Sequence, residues 1–318
     1  MKIIELSQIK RLLPSIDLIP IIAEGFAAYS AGKAVIPPVG ELLFDHGDVH
    51  IKYGYIKNDE FYVIKIASGF YNNPKLGLPS SNGLMLLFSQ STGELISILL
   101  DEGYLTNIRT AVAGAIVAGH LAPRKVERIG VVGAGMQGRL QLRYLRPVVG
   151  CEQVLVWGQN ESELGQYKAD MEREGFRVET TLEADQVLKS CNLVVTATPS
   201  TRPLLHVQSL HPGVHITAVG SDTPEKQELD SAILAQADLI VADSISQCLS
   251  RGEIYRAISS GQITRDRIVE LGRIISRDAP GRTSDSQITV ADLTGLATQD
   301  ISIATAVYRK SITRIYAP

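Results

Sequence analysis

The sequence has little of what disulfide-rich, nucleic-acid-binding or membrane-spanning proteins have in abundance. Its 318 residues include three cysteines, at positions 151, 191 and 248. This odd, scattered set fits neither a disulfide framework nor a metal-binding spacing. The net charge of −3 gives no electrostatic basis for nucleic-acid binding. No apolar run approaches the roughly 20 residues of a membrane helix, and the first residues lack the apolar core of a signal peptide. We therefore expect a soluble, cytoplasmic protein with no metal site and no nucleic-acid or membrane partner.

Repeats and low-complexity linkers are also missing, and what is present is typical of an ordinary globular chain. Hydrophobic residues make up 45% of it and charged residues 20%, which excludes disorder. A chain of this length predicts about two domains with a substantial core.

The first third of the chain predicts a helix followed by an antiparallel sheet. An apolar stripe predicts a helix over 15–32 with Ser15 as its cap, and Pro37 and Pro38 end the pattern. Four β-rich runs follow with short turns between them, which favours antiparallel pairing. These runs are Val49–Tyr55, Glu60–Ala67, Gly83–Ser89 and Leu95–Leu100. A helix of small residues is then predicted over Thr106–His120, with Thr106 as its N-cap.

Strand and helix patterns alternate from about 127 to 245, which predicts a doubly wound parallel sheet. The predicted strands are Ile129–Val132, Val154–Trp157, Leu193–Thr196, His215–Val219 and Leu239–Ala242. The fold class is therefore α/β, with a Rossmann-type doubly wound parallel sheet inserted in a second α+β domain. We assign residues 1–122 plus 285–318 to that second domain, expected to bind substrate and to dimerise, and residues 123–284 to the dinucleotide-binding domain.

A glycine-rich turn lies between the first strand and first helix of this alternating region. Gly133, Gly135 and Gly138 have the spacing G-x-G-x-x-G. The first glycine permits the tight turn, the second lets the backbone approach a pyrophosphate, and the third lets helix and strand pack closely. The pyrophosphate would then lie at the N-terminus of the helix. This strand–turn–helix context predicts a dinucleotide site.

We expect the cofactor, NAD(H) or NADP(H), to contact the glycine loop and the residues that follow the other strands. The predicted set is Gly133, Ala134, Gly135, Met136, Gln137, Gly138, Gly158, Gln159, Asn160, Thr196, Ala197, Thr198, Val219 and Gly220.

The choice between NAD and NADP stays open in the sequence. The acidic residue that usually binds the ribose 2′-hydroxyl at the end of the second strand is absent, because Gly158, Gln159 and Asn160 stand there. No arginine stands at 159 to select a 2′-phosphate either. Lys168, on the following helix, either reaches the 2′-phosphate of NADP or is a solvated helix residue.

Three charged residues outside the glycine loop are candidates for chemistry. Lys65 lies on a predicted strand and is either solvated or a pocket cation that binds a carboxylate. Arg109 lies early in the buried 106–120 helix, where the helix dipole disfavours a cation. It either pairs with Glu102 or Asp101 or binds an incoming carboxylate. Asp222 follows a parallel strand at its carboxyl end, and it either caps a following helix or acts as a general acid or base.

Several stretches together resemble the ornithine cyclodeaminase/μ-crystallin family over nearly the whole chain. They are Val63–Lys65 before Gly69, Leu105–Thr110, Gly133–Gln137, Ala218–Asp222 with Pro224, Lys226 and Glu228–Leu229, Gly252–Glu253, and Ser284–Val290. The resemblance implies a homodimer built through the split terminal domain. It implies that Lys65 and Arg109 hold the α-carboxylate of a small-molecule amino or imino acid. It also implies that Asp222 acts on the substrate nitrogen and that hydride moves between nicotinamide and the α-carbon.

Two positions depart from the cyclodeaminases of this family. They carry a further carboxylate-binding arginine where Val39–Glu41 stands here. They also carry a glutamate for the distal ammonium of ornithine, and the aligned residue here is Lys52. Period two places His50, Lys52 and Gly54 on one face. Lys52 would repel an ammonium by more than about 1 kcal/mol once desolvated and attract a second carboxylate, unless it lies on a solvated edge.

These observations lead to three hypotheses. The first is an NAD(P)H-dependent imine reductase or amino-acid dehydrogenase with Lys65 and Asp222 as catalytic residues and Lys52, Lys65 and Arg109 as substrate-binding residues. Its substrate would be a small α-imino acid such as iminosuccinate, with alanine, cyclic ketimines and ectoine-pathway intermediates as alternatives. The second is a cyclodeaminase, a lyase that recycles NAD while it converts ornithine. The third is a non-enzymatic dinucleotide-binding protein of the crystallin kind, against which the joint presence of Lys65, Arg109 and Asp222 argues.

Overall fold

The computed structural model describes residues 1–70 and 72–313, and these form seventeen strands and eleven α-helices. The strands are β1 Lys2–Glu5, β2 Ala34–Val35, β3 Gly40–Phe44, β4 Gly47–Ile56, β5 Phe61–Gly69, β6 Ser81–Ser89, β7 Leu95–Leu100, β8 Ile129–Val132, β9 Gln153–Trp157, β10 Arg177–Thr181, β11 Leu193–Thr196, β12 Thr201–Leu205, β13 His215–Ala218, β14 Gln227–Leu229, β15 Leu239–Ala242, β16 Ile268–Glu270 and β17 Thr289–Asp292. The helices are α1 Leu6–Leu12, α2 Leu18–Ser30, α3 Tyr104–Leu121, α4 Met136–Val149, α5 Glu161–Arg173, α6 Ala184–Ser190, α7 Ser231–Gln236, α8 Ile245–Cys248, α9 Gly252–Ser259, α10 Leu271–Ile275 and α11 Ala297–Thr313.

The chain divides into two compact units. The first comprises Met1–Arg109 and Leu296–Pro318, and the second comprises Thr110–Gly295. The predicted boundaries, 122/123 and 284/285, differ from this division. The difference arises because residues 110–122 continue α3 into the second unit and because β17 is a strand of the second unit's sheet.

A seven-stranded sheet organises the first unit. Its order is β1-β7-β6-β5-β4-β2, with β3 paired to β4. The β1–β7 pair is parallel and the other pairs are antiparallel, as the short links in the sequence predict. Helix α11 packs against β4, β5 and β6 and also against α2. Alternate residues of β5 (Phe61, Val63 and Lys65) are buried, because successive side chains of a strand point to opposite faces.

Two predicted helix starts differ from the structure. Helix α2 begins at Leu18, and Ser15 lies before it in a 3₁₀ turn, where its hydroxyl donates to the Leu12 carbonyl at 2.7 Å. Helix α3 begins at Tyr104 rather than at Thr106. The carboxylate of Asp101 accepts the Leu105 N–H at 2.8 Å, so an aspartate upstream of the predicted cap satisfies the first turn.

An eight-stranded parallel sheet organises the second unit. Its order is β10-β9-β8-β11-β13-β17-β15-β16, so the winding direction reverses between β8 and β11. This is a Rossmann-type doubly wound sheet, and the predicted α/β fold class is confirmed. Two buried apolar clusters accompany it, one containing Val131 and Tyr167 and the other Val194 and Ile216. Ligands of such sheets bind at the carboxyl ends of the strands near the reversal.

Among the described residues, no single helix is long and apolar enough to cross a membrane. The pair Leu6–Ser15 and Leu18–Ser30 passes the length and composition criteria together and is bent by 93°. Its apolar side chains Ile9, Leu12, Leu18, Ile22 and Phe26 are buried.

Candidate functional site

The glycine loop of the second unit joins β8 to α4, and each glycine occupies a position with its own constraint. Gly133 has φ of +119°, which L-residues with a side chain rarely adopt. A Cβ on Gly138 would lie 2.3 Å from the Gly133 carbonyl oxygen, so only glycine lets α4 approach β8 this closely. Gly135 has open space where its Cβ would be. The loop thus combines a tight turn, an accessible backbone and a helix N-terminus, which is the arrangement that holds a pyrophosphate.

A cavity of about 560 Å³ lies beside the end of β9. It is lined by the Trp157–Gln159 segment, by Leu182 and by residues of the 198–204 segment. Among these lining residues there is no carboxylate, so the sequence's open question between a ribose hydroxyl and a 2′-phosphate stays open. Asn160 has a capping role, because its side-chain oxygen accepts the Glu163 N–H at 2.9 Å.

The residues after β11 and β13 lie side by side because these strands are neighbours, with Thr196 paired to Ala218. A Cβ on Gly220 would lie 2.3 Å from the Thr198 carbonyl oxygen, and a Cβ on Gly133 would lie 2.8 Å from the Ala197 carbonyl oxygen. The structure therefore brings the predicted Thr196–Thr198 and Val219–Gly220 segments against the glycine loop, at the reversal point of the sheet.

Asp222 lies beyond the carboxyl end of β13, as predicted. Its carboxylate pairs with the Lys226 ammonium at 2.6 Å, and its backbone carbonyl accepts from Arg251 at 3.2 Å. The alternative that Asp222 caps a helix is wrong, because the next element is β14. The side chain is about one-third exposed, so it can reach a ligand.

In the first unit, Lys52 and Lys65 are directly opposite each other on β4 and β5. Lys52 is 5% exposed and Lys65 is 1% exposed, so the solvated alternative for each is wrong. His50, Lys52 and Gly54 share the buried face of β4, as period two predicts. Two buried lysines at one register position repel each other, so this face of the sheet favours anions.

Asp300 is the anion that the structure places next to Lys65. Its carboxylate lies 3.1 Å from the Lys65 ammonium and 3.2 Å from the Arg109 Nε. The Arg109 Nη1 also donates to the side-chain amide oxygen of Gln299 at 3.1 Å. The predicted partners Glu102 and Asp101 were therefore wrong for Arg109. The pKa of Lys65 is lowered to about 8, first by burial and then by the nearby Arg109, and Asp300 opposes both effects.

This buried cluster leaves polar atoms without hydrogen bonds. The Arg109 Nε, the Gln299 Nε2 and both Asp300 oxygens are buried and have no hydrogen-bond partner. The Asp300 contacts are therefore ion pairs at close range without hydrogen-bond direction. Unsatisfied buried polar groups are costly, and a cluster with two cations and one carboxylate keeps a net positive charge. An added carboxylate would accept from the Arg109 Nε and the Gln299 Nε2 and would offset the positive charge, while the Asp300 oxygens keep their ion pairs.

Sequence reasoning missed Asp300 and Gln299. The signal in the sequence was weak: Asp300 is the single acid of α11, but that helix mixes polar and apolar residues. A buried acid and a buried base need partners, and only the burial of Asp300 beside Lys65 and Arg109 identifies the cluster.

The sequence model of the ornithine cyclodeaminase/mu-crystallin family matches residues 2–314. The chain belongs to this family. A relative from Sinorhizobium fredii, described as the uncharacterized cyclodeaminase y4tK, is 39% identical over 98% of this chain and 96% of its own length.

Solved structures of the family also match this chain over nearly its full length. An archaeal alanine dehydrogenase dimer with bound NAD has a TM-score of 0.90 and 32% identity, covering 99% of this chain and 97% of that one. The Δ1-pyrroline-2-carboxylate reductase of Thermococcus litoralis, in complex with NADH and L-proline, has a TM-score of 0.93 and 26% identity, covering 99% and 98%. The iminosuccinate reductase of Paracoccus denitrificans, in complex with NAD⁺, has a TM-score of 0.87 and 30% identity, covering 99% and 98%.

Proposed function

We propose that this chain is an NAD(P)H-dependent imine reductase or amino-acid dehydrogenase that adds hydride to the α-carbon of a small α-imino acid. The observation that carries the proposal is the buried Lys65–Arg109–Asp300 cluster with its unsatisfied donors. Arg109 Nε and Gln299 Nε2 are both hydrogen-bond donors without acceptors, and Lys65 supplies a third donor, which like Arg109 is cationic. A substrate carboxylate supplies the missing acceptors.

The cofactor proposal rests on the glycine loop and on family members solved with NAD(H). Gly133 and Gly138 fix the turn, and Gly135 leaves its backbone accessible. The N-terminus of α4 would hold the pyrophosphate. When bound, the reduced nicotinamide supplies a hydride, that is, one proton together with two electrons.

The chain's own residues would complete the reaction. Lys65 and Arg109 hold the substrate carboxylate and so orient the C=N bond. As the α-carbon gains hydride, the π electrons of the C=N bond move to nitrogen. Asp222 takes up a proton from solvent before the hydride moves and gives that proton to the nitrogen, and Lys226 at 2.6 Å pairs with the carboxylate that remains. The products are the amino acid and the oxidised cofactor, so atoms and charge balance.

Lys52 favours a substrate with a second acidic group. Its ammonium is buried on the same face as Lys65 and directly opposite it. An α-imino dicarboxylic acid such as iminosuccinate would place negative charge near both lysines, whereas the distal ammonium of ornithine would be repelled. Imino acids derived from alanine or proline remain alternative substrates of the same reaction class.

The test is loss of reduced-nicotinamide absorbance in parallel assays. Purified protein is mixed with NADH or NADPH and with oxaloacetate plus ammonia, pyruvate plus ammonia, or pyrroline-2-carboxylate. We expect stoichiometric loss that is fastest with oxaloacetate plus ammonia, and the faster cofactor answers the question left by Gln159. Loss only with another substrate would keep the reductase proposal and reject the argument from Lys52.

The second candidate is a cyclodeaminase, favoured by the 39% identity to a relative described by that name. It would release ammonia from ornithine with catalytic NAD and no net change in absorbance. Ammonia release from ornithine without reductase activity on any imino acid would decide for it. Binding of NADH without either activity would leave the non-enzymatic, crystallin-like alternative.

We also propose that the chain is a cytoplasmic homodimer. The archaeal alanine dehydrogenase of known structure is a dimer. On this chain, Leu42, Leu43 and Phe44 of β3 are exposed apolar side chains, and such a group is typical of an interaction surface. Light scattering of the purified protein should give twice the chain mass of 34.5 kDa.

A further inference from the structure

Glu228 is a fully buried carboxylate that neither the glycine loop nor the substrate residues explain. It lies on β14 and is 0% exposed. Four donors from two segments point at it: the Thr196 hydroxyl at 2.7 Å, the Thr198 N–H at 2.6 Å, the Thr198 hydroxyl at 2.8 Å and the Gly220 N–H at 3.1 Å. One side chain therefore ties together the segments after β11 and after β13.

A second buried carboxylate holds Glu228 itself. Glu253, at the start of α9, accepts the backbone N–H groups of Glu228 at 2.7 Å and Leu229 at 3.2 Å. Asp292, at the end of β17, in turn accepts the Ile254 N–H at 2.8 Å. Three buried acids, Glu228, Glu253 and Asp292, thus connect β17, α9 and β14 with the loops at the ends of β11 and β13.

Burial at this depth has a cost that the hydrogen bonds offset. The pKa of Glu228 is raised to about 7, because burial raises it more than the bonds from Thr196, Thr198 and Gly220 lower it. A chain that only needed packing at position 228 would place an apolar residue there, since an uncompensated buried carboxylate is destabilising. The arrangement indicates that the orientation of the two loops is what the carboxylate provides.

The two loops lie on one side of the dinucleotide site. In a doubly wound sheet each half binds one nucleoside, and the end of the second strand, here β9, belongs to the adenosine half. Strands β11 and β13 belong to the other half. Gly220 therefore lies at the part of the site that would receive the nicotinamide. Thr196 is fully buried and binds Glu228, and Thr198 lines the cavity beside β9.

From this geometry we infer that Glu228 is a positioning residue for the nicotinamide end of the cofactor site, acting through Thr196, Thr198 and Gly220. The inference rests on the proposed dinucleotide-dependent function. Glu228 touches neither substrate nor cofactor. It holds the two loops at the separation and orientation that fix the nicotinamide end of the cofactor.

The test compares NADH with ADP-ribose, which lacks the nicotinamide, in the full chain and in Glu228→Gln. The amide keeps the size of the side chain but turns an N–H₂ group toward two of the four donors. We expect the Kd for NADH to rise roughly tenfold, the effect of losing hydrogen bonds to a charged group. The Kd for ADP-ribose should change much less, and kcat should fall by about 10- to 100-fold because of ring misplacement.

The matched control is Thr289→Val. Thr289 is equally buried and binds His215 at 2.8 Å and the Leu121 carbonyl at 3.0 Å, but it lies at the amino ends of β17 and β13. It should lower the melting temperature without changing the ratio of the two Kd values. Equal weakening of NADH and ADP-ribose by Glu228→Gln, or no weakening of either, would overturn the inference.

Two further outcomes keep the test decisive. If the wild-type protein binds neither NADH nor ADP-ribose, the proposed function fails together with the inference; if it binds both and only the selective loss is missing, the inference alone fails. If Glu228→Gln does not fold, Thr196→Val removes one of the four donors without adding a charge or a donor. It should produce the same selective loss at smaller size, and an unchanged ratio would overturn the inference.

Discussion

Asp222 is held by Lys226 at 2.6 Å, and this contact makes a size-preserving substitution informative. Asp222→Asn keeps an oxygen for Lys226 but has no proton to give to the substrate nitrogen. We expect kcat of the imine reduction to fall by about 10²- to 10⁴-fold, with the Kd for NADH nearly unchanged. Glu174→Gln is the control, since Glu174 pairs with Arg143 on the surface, and it should retain activity. Turnover that survives Asp222→Asn would remove Asp222 as the proton carrier.

Lys65 gives the enzyme a pH dependence that follows from its burial. Its pKa is lowered to about 8, so the ammonium is present below that pH and is lost as the pH rises through it. The proposed carboxylate clamp would need the ammonium, so kcat/KM should decrease above about pH 8. Bound substrate adds a negative charge that favours the ammonium, so kcat should decrease only at higher pH. The measurement is the inhibition constant of a simple carboxylate, one with no other titrating group, as a function of pH. Its binding should weaken as the Lys65 ammonium is lost. An alkaline limb equal in kcat and kcat/KM would contradict it.

At the scale of elements, the turn between β8 and α4 separates folding from cofactor binding. Gly138→Ala would put a methyl group 2.3 Å from the Gly133 carbonyl, so we expect loss of about 1–3 kcal/mol of stability together with weaker NADH binding. Gly135→Ala meets nothing in the protein, so the melting temperature should hold while the methyl group blocks the pyrophosphate. Thermal unfolding and NADH titration of both variants test this. A stable Gly135→Ala that binds NADH normally would reject the site.

Element by element, the sequence predicted what depends on local pattern and missed what depends on distant pairing. The alternation of strand and helix predicted β8, β9, β11, β13 and β15 within a residue of their observed bounds, because hydrophobic periodicity is local. It placed β17 in the wrong domain, because nothing in the pattern of Thr289–Asp292 says which strands it pairs with. Arg109 was recognised as needing an anion. Its partner Asp300 is far along the chain, and only the fold brings them together.

For the whole molecule, the position of β17 decides where the dinucleotide-binding unit ends. β17 lies between β13 and β15, so a fragment of residues 123–284 would leave each of these strands without one of its two neighbours. We expect that fragment to lack cooperative thermal unfolding, whereas residues 110–295 should unfold in one transition, measured by circular dichroism. The shorter fragment also lacks the buried residues Val290 and Ala291 of β17. Equally cooperative unfolding of the two fragments would show that β17 is dispensable and would contradict this prediction.

The position of β17 and α11 late in the sequence also affects how the protein folds during translation. The sheet of the first unit is covered by α11, and the sheet of the second unit is bridged by β17. Both elements follow the other strands and helices of their units in the sequence, so neither unit can close until residues 289–313 have been made. Until then Lys65 faces no Asp300, and the edges of β13 and β15 stay open to other chains. We expect slow translation to leave this protein dependent on chaperones until these residues emerge.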